Sequence, residues 1–193
     1  MSILITNGIT LIQDPKLLKP KLCTDLIKHI ESSEIEIVRD QNVQCNQIVL
    51  SHTDKLHAKV LDLFLELRSI IRSYLTLEVM GDSGYQLRKI HGTTRLHTDG
   101  SLDEPGGNLR NLSCIIALND DFGGGEVSFP KQDFTYQMSK GDILIFPPYH
   151  THPHQVYPPH AGTYRYTINT WFYDANYGQI LKKNRDLYIN EYP

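Results

Sequence analysis

His97 and Asp99 flank Thr98 in a part of the chain built from short apolar alternations. Side chains two apart on a β-strand project from one face, so this imidazole and this carboxylate can enter a common cavity. Together they are two of the three ligands in the facial set that holds non-haem Fe(II) and leaves coordination positions open. The third ligand must arrive from a distant segment, and His150-Thr151-His152-Pro153-His154 offers three histidines. His154 has the best claim, because it opens the apolar run Gln155-Val156. His150 and His152 adjoin the proline-rich loop Phe146-Pro147-Pro148-Tyr149, and His152 is the second choice. Arg165 then falls in the alternating run Tyr164 to Trp171, whose parity places Arg165, Thr167, Asn169 and Trp171 on one face. A guanidinium in a strand core calls for an anion, and its planar fork suits a carboxylate.

A His-x-Asp triplet alone is common and reads as readily as a surface turn. The later histidines and Arg165 give it weight, at a separation that a closed sheet brings together. Other motifs point elsewhere. Gly123-Gly124-Gly125 lacks the Gly-Lys-Ser/Thr of a phosphate loop and reads as a hairpin turn needing positive φ. No G-x-S-x-G nucleophile elbow is present. His91 and His160 read as loop residues, and His29, His52 and His57 lie in a helical region without visible partners.

The elements that must position these groups fall into two textures. Pro20 suits a first helical turn, and Leu22, Leu26, Ile27 and Ile30 continue at helical spacing to Ser32-Ser33. Strands are expected around Ile3–Ile12, with a turn at Asn7-Gly8, and around Ile35–Val38 and Gln44–Leu50. Thr53 or Asp54 would cap a long helix whose stripe is Leu56, Val60, Leu63, Phe64, Leu67, Ile70, Ile71 and Tyr74. From Gly84 short strands alternate with Gly/Pro/Asp turns. These are Tyr85–Ile90, His97–Asp99, Leu112–Leu118, Glu126–Phe129, Phe134–Met138, Ile143–Phe146, His154–Val156 and Tyr164–Tyr173. About eight such strands make a jelly roll. The expected fold is α+β: a double-stranded β-helix core over residues 84–174, N-terminal supporting helices in a helical region over 1–80, and a C-terminal tail over 175–193, all in one domain.

With 193 residues the chain can bury one sizeable core, and 40% hydrophobic with 21% charged residues describes a globular protein. A net charge of -3 argues against nucleic acid as partner. The start lacks the basic and apolar regions of a signal peptide, and no apolar run is long enough for a membrane span. The three cysteines, Cys23, Cys45 and Cys114, are scattered and odd in number, which fits a reducing, cytoplasmic setting and no thiolate zinc site.

Taken together, His97-Thr98-Asp99, Leu118 to Phe129, Lys140-Gly141-Asp142-Ile143-Leu144-Ile145-Phe146-Pro147, His154 to Pro158 and Gly162-Thr163-Tyr164-Arg165-Tyr166 through Trp171-Phe172-Tyr173-Asp174 resemble the 2-oxoglutarate- and Fe(II)-dependent dioxygenases, specifically the prolyl 4-hydroxylase-like branch. The resemblance implies that His97, Asp99 and His154 ligate iron and that Arg165 binds the C5 carboxylate of 2-oxoglutarate. The interval from His154 to Arg165 is slightly long for the family. The tyrosine that many members place before the His-x-Asp triplet is absent, since Lys89 or Ile90 stands there. Tyr85 or Thr167 is the expected substitute hydroxyl. The implied reaction uses O2 and 2-oxoglutarate, with ascorbate as reductant, hydroxylates an unactivated C–H bond and releases succinate and CO2. A proline-containing protein or peptide is the expected substrate, ahead of a small molecule, chosen by the loops Gly100–Arg110 and Lys131–Met138, with Ser101–Gly107 as a lid. Two other classes compete: a non-catalytic jelly-roll binding module, which would tolerate loss of Arg165, and a cupin-like zinc enzyme using the same three ligands.

Overall fold

The structure is a computed structural model and describes residues 1–34, 36–39, 43–100, 102–103 and 108–173. In chain order these form β1 (Ser2–Thr6), β2 (Ile9–Gln13), α1 (Pro20–Ser32), β3 (Glu36–Arg39), β4 (Val43–Val49), α2 (His57–Leu75), β5 (Gly81–Asp82), β6 (Gln86–His97), β7 (Leu102–Asp103), β8 (Asn108–Ala117), β9 (Val127–Phe129), β10 (Phe134–Tyr136), β11 (Asp142–Phe146), β12 (His154–Val156) and β13 (Arg165–Tyr173). The expected tail over 175–193 and most of the expected lid lie outside the described residues.

Every strand pairing among the described residues is antiparallel. The ladder runs β1-β2-β11-β8-β13-β6-β12-β9-β10. β6 turns the corner between two sheets. Its first half, Gln86 to Ile90, pairs with β13 and β4, whereas Thr94 and His97 pair with β12. Counted once in each sheet, β6 joins β11, β8 and β13 on one side and β12, β9 and β10 on the other, an arrangement consistent with a jelly roll. The separate strands expected at Tyr85–Ile90 and His97–Asp99 are therefore one long strand, with Asp99 just past its end.

Parity sorts the core. Cys114 and Ile116 of β8, Ile143 and Ile145 of β11, and Ile168 and Phe172 of β13 face the helices. Their neighbours Ile115, Ala117, Leu144 and Phe146 turn inward between the sheets, with Val127, Phe129 and Val156. α1 contributes Cys23, Leu26 and Ile30 to the helix-side core, and α2 contributes Val60, Leu63, Phe64, Leu67 and Ile71. Pro20 occupies the first turn of α1, where its missing N–H costs nothing. α2 starts after Leu56 without a side-chain cap. Asp54, expected as that cap, instead accepts the Ser51 N–H at 2.8 Å in the preceding turn. Tyr74 leaves the expected stripe and is 52% exposed.

One expectation is corrected. Residues 1–80 are not a helical region: their described residues hold two helices, and β1 to β4 take up much of the rest. β1 and β2 form a hairpin about Asn7 and Gly8, both at positive φ, and β2 then extends the sheet along β11. No helix among the described residues is long and apolar enough to cross a membrane.

Candidate active site

The corner in β6 and the short strand β12 bring His97 and His154 opposite one another in the ladder, with ring centroids 4.4 Å apart. Asp99 leaves the end of β6 and folds back toward both. Its Oδ1 lies 3.2 Å from His97 Nε2 and its Oδ2 lies 3.6 Å from His154 Nε2. One ligand atom from each residue fits within 4.8 Å of the others, and no second such cluster occurs among the described residues.

The far side of each imidazole is already spoken for. His97 Nδ1 donates to the Arg95 carbonyl at 2.8 Å, and His154 Nδ1 faces the His152 carbonyl at 3.3 Å. A proton on Nδ1 leaves the Nε2 lone pair directed at the cluster, the outer contact that orients a metal-binding histidine. Asp99 is held in turn. Ser113 Oγ donates to its Oδ2 at 2.7 Å, and Arg110 Nη1 donates to its backbone carbonyl at 3.0 Å. Phe129 and Phe146 wall His154, with ring centroids 5.6 and 4.6 Å away.

The electrostatics follow from this packing. Burial raises the cost of the Asp99 charge, yet the His97 hydrogen bond, the nearby His154 and the Ser113 hydroxyl outweigh it and hold the carboxyl well below its usual range. Burial likewise opposes a charge on His97, but the hydrogen bond and charge of Asp99 win and raise it. His154, deeper, is lowered by burial. Two imidazole nitrogens and one ionised carboxylate, converging from one side, fit a divalent iron with open positions.

Beside the cluster lies a narrow cleft, open to solvent at its mouth, with Arg165 among its lining residues. Arg165 is 2% exposed. Its Nη2 reaches only the Met138 sulfur at 3.5 Å, its Nε has no partner, and no carboxylate of the described residues forms an ion pair with it. Burial first, and the charge of Arg88 second, lower its pKa to about 10. A buried guanidinium with an orphaned N–H is a cradle for an anion.

The remaining candidates separate cleanly. His152 is buried but structural, with Nε2 on the Asn7 carbonyl at 2.8 Å and Nδ1 on Thr151 Oγ1 at 2.9 Å. His91, expected in a loop, lies on β6. Thr167 is buried and donates to Asn169 Oδ1 at 2.6 Å, so it meets the cleft through Asn169. Tyr85 is elsewhere. It shares the parity of Leu87, faces the helices and stacks on Phe64 at 4.7 Å, while Arg88 and Ile90 take the cleft side. It therefore corrects the expectation that its hydroxyl assists Arg165. Ser113, Arg88 and Arg110 were missed by sequence reasoning. A basic residue with the parity of Ile90 was a readable signal for Arg88, whereas a serine in a strand carries none.

Residues 85–173 match the family model described as the 2OG-Fe(II) oxygenase superfamily. A sequence comparison with curated proteins finds no match. Among solved structures, the chain is similar to a viral collagen prolyl hydroxylase from Paramecium bursaria Chlorella virus-1 in its 2OG complex (TM-score 0.69, 16% identity, covering 86% of this chain and 96% of that one). It is also similar to a Pseudomonas putida prolyl-4-hydroxylase (TM-score 0.69, 19% identity, 86% and 92% covered). A third is a Trichoplax adhaerens prolyl hydroxylase in complex with a hypoxia inducible factor oxygen degradation domain peptide fragment (TM-score 0.70, 16% identity, 91% and 87% covered). Residues 85–173 therefore match the 2-oxoglutarate- and Fe(II)-dependent oxygenase superfamily, and the fold of the chain is similar to that of these prolyl hydroxylases.

Proposed function

We propose that the protein hydroxylates an unactivated C–H bond, most simply on a peptidyl proline, converting 2-oxoglutarate and O2 to succinate and CO2 with ascorbate as reductant. The observation that carries this is the convergence of His97, Asp99 and His154 on a cleft that also holds the buried Arg165. His97, Asp99 and His154 would hold Fe(II), and Arg165 would hold the C5 carboxylate of 2-oxoglutarate. When bound, iron and 2-oxoglutarate supply the oxidising power that no side chain possesses. The chain's own part is positional. Ser113 and Arg110 fix Asp99, the Arg95 and His152 carbonyls fix the imidazoles, and Phe129 and Phe146 keep water from His154.

A zinc hydrolase would need a base beside the metal. Among the described residues that line the cleft, Asp99 is the one carboxylate, which favours oxygenase chemistry over that alternative. The whole chain acts as one catalytic domain in this proposal, and its three buried free thiols suit a reducing, cytoplasmic compartment. The test is mass spectrometry of proline-rich peptides after incubation with the Fe(II)-loaded protein, 2-oxoglutarate and ascorbate. A gain of one oxygen on proline, absent without 2-oxoglutarate, is expected. Turnover of 2-oxoglutarate with no peptide oxidised in a broad proline panel would remove proline as the substrate.

A further inference from the structure

The main ladder ends on β1, and among the described residues β1 pairs with β2 alone. A strand at the end of a sheet presents unpaired N–H and C=O groups along its outer edge. Folded chains usually blunt such an edge with charge, proline, a bulge or shortness. β10, at the other end of the ladder, is three residues long, and β3 carries Glu36 and Arg39. β1 has none of these devices. It reads Ser2-Ile3-Leu4-Ile5-Thr6 and keeps an unbroken register against β2.

The hairpin turn fixes which backbone groups point outward. Asn7 and Gly8, at φ 48 and 80, form a type I′ turn that closes on the pair Thr6–Ile9. The closing pair of such a hairpin is hydrogen-bonded, and bonded pairs alternate along an antiparallel ladder. Leu4–Leu11 and Ser2–Gln13 are therefore bonded pairs, whereas Ile3 and Ile5 turn their N–H and C=O groups to the open edge. The side chains are open as well. Leu4 is 52% and Ile5 49% exposed, and Ile3 is half-buried against the helix-side core.

This edge is complementary to itself. In antiparallel pairing about a two-fold axis at Leu4, Ile3 of each copy stands opposite the partner's Ile5, and the outward groups of the two exchange hydrogen bonds. Leu4 meets the partner's Leu4 in a non-bonded pair, where side chains approach most closely. Ile5 covers the partner's Ile3, and Ser2 falls opposite the partner's Thr6. We infer that the protein forms a two-fold dimer by pairing β1 with β1 of a second copy, which joins the main sheets of the two copies into one. One short strand per copy covers less than the ~1,000 Å² of a stable complex, so the dimer is weak and builds up with concentration.

Sedimentation equilibrium of the full chain, up to about 1 mM, should show reversible exchange between monomer and dimer. Leu4→Lys sets two ammonium groups against each other across the axis and should weaken association about tenfold or more. Leu4 is exposed, so circular dichroism of that variant should match the unaltered protein. Cysteines read the register. Leu4→Cys brings two thiols opposite one another and should crosslink under mild oxidation. Ser2→Cys, exposed on the same face but opposite Thr6, should not. Cys23, Cys45 and Cys114 are buried and leave the background low. A monomer at every concentration overturns the inference. So does a dimer that Leu4→Lys leaves intact, or a Ser2→Cys variant that crosslinks as fully as Leu4→Cys.

Discussion

Replacing Ser113 by alanine removes one oxygen atom from a strand interior and isolates the contribution of the contact behind the metal ligands. Ser113 is 1% exposed and its hydroxyl donates to Asp99 Oδ2 at 2.7 Å, the oxygen that also faces His154 Nε2 at 3.6 Å. A hydrogen bond to a charged acceptor contributes about 1.5–3 kcal/mol, and its loss inside a low-dielectric cleft is not repaid by water. That converts to about ten- to a hundredfold in a binding constant, the range expected when an outer contact of a metal ligand is deleted. Alanine fits the space, and the apolar neighbours Leu112 and Cys114 on the other face of β8 are untouched, so the fold should persist. The assay is anaerobic Fe(II) titration against a coloured chelator, with circular dichroism as the folding control. Fe(II) affinity within about twofold of the unaltered protein, in a folded Ser113→Ala variant, would refute the claim that this hydroxyl orients the Asp99 carboxylate for a metal.

Further outcomes follow from the same geometry. Arg165→Ala should raise the 2-oxoglutarate dissociation constant by about ten- to a hundredfold and leave Fe(II) affinity unchanged, because its partner would be the distal carboxylate alone; parallel titrations of both ligands check this. Gly125 has φ +74, and a Cβ there would meet the Phe122 ring at 2.8 Å and Arg165 Cδ at 3.4 Å. Gly125→Ala should therefore cost about 1–3 kcal/mol in chemical denaturation and weaken 2-oxoglutarate binding as well. His97 is raised in the metal-free fold, with burial opposing its charge and Asp99 outweighing burial. Its protonated form then contributes stability that is full below the unfolded value near 6.5 and fades as pH climbs through the raised folded value. Metal needs that imidazole neutral, so apparent Fe(II) affinity should rise across the same window, a dependence readable in chelator titrations at stepped pH. Leu67 is fully buried between α2 and the sheet, and Leu67→Ala should cost about 2–5 kcal/mol in urea unfolding.

Much of the fold was legible because the core obeys parity. The alternation Leu112, Cys114, Ile116 and Leu118 marks the helix-facing side of β8, and the spacing of Leu63, Phe64, Leu67 and Ile71 marks the buried side of α2. The site was legible where chemistry restricts residue type, as with a histidine and an aspartate two apart or an arginine in an apolar strand. Supporting residues were not, since their role depends on partners remote in sequence. Ser113 matters only because Asp99 folds back over β8. Tyr85 was misplaced for a related reason. A tyrosine near a strand start suggests a hydroxyl for the cleft, but the parity it shares with Leu87 commits it to the helix side. The expected helical region over 1–80 failed even though its strands were readable around Ile3–Ile12, Ile35–Val38 and Gln44–Leu50. The reason is that β2 pairs with β11 and β4 with β6, which joins these strands to the main sheet, a contact absent from local sequence. The corner within β6, where pairing passes from β13 to β12, likewise has no signature in composition.

The most direct measurement is succinate formation from 2-oxoglutarate by the purified protein with Fe(II), O2 and ascorbate, run beside an Asp99→Ala variant that lacks the carboxylate ligand. Succinate from the unaltered protein and none from the variant is the expected result, with or without added peptide. Equal succinate from both, or none from unaltered protein shown to hold iron and 2-oxoglutarate, would contradict the assignment of His97, Asp99, His154 and Arg165 to this chemistry.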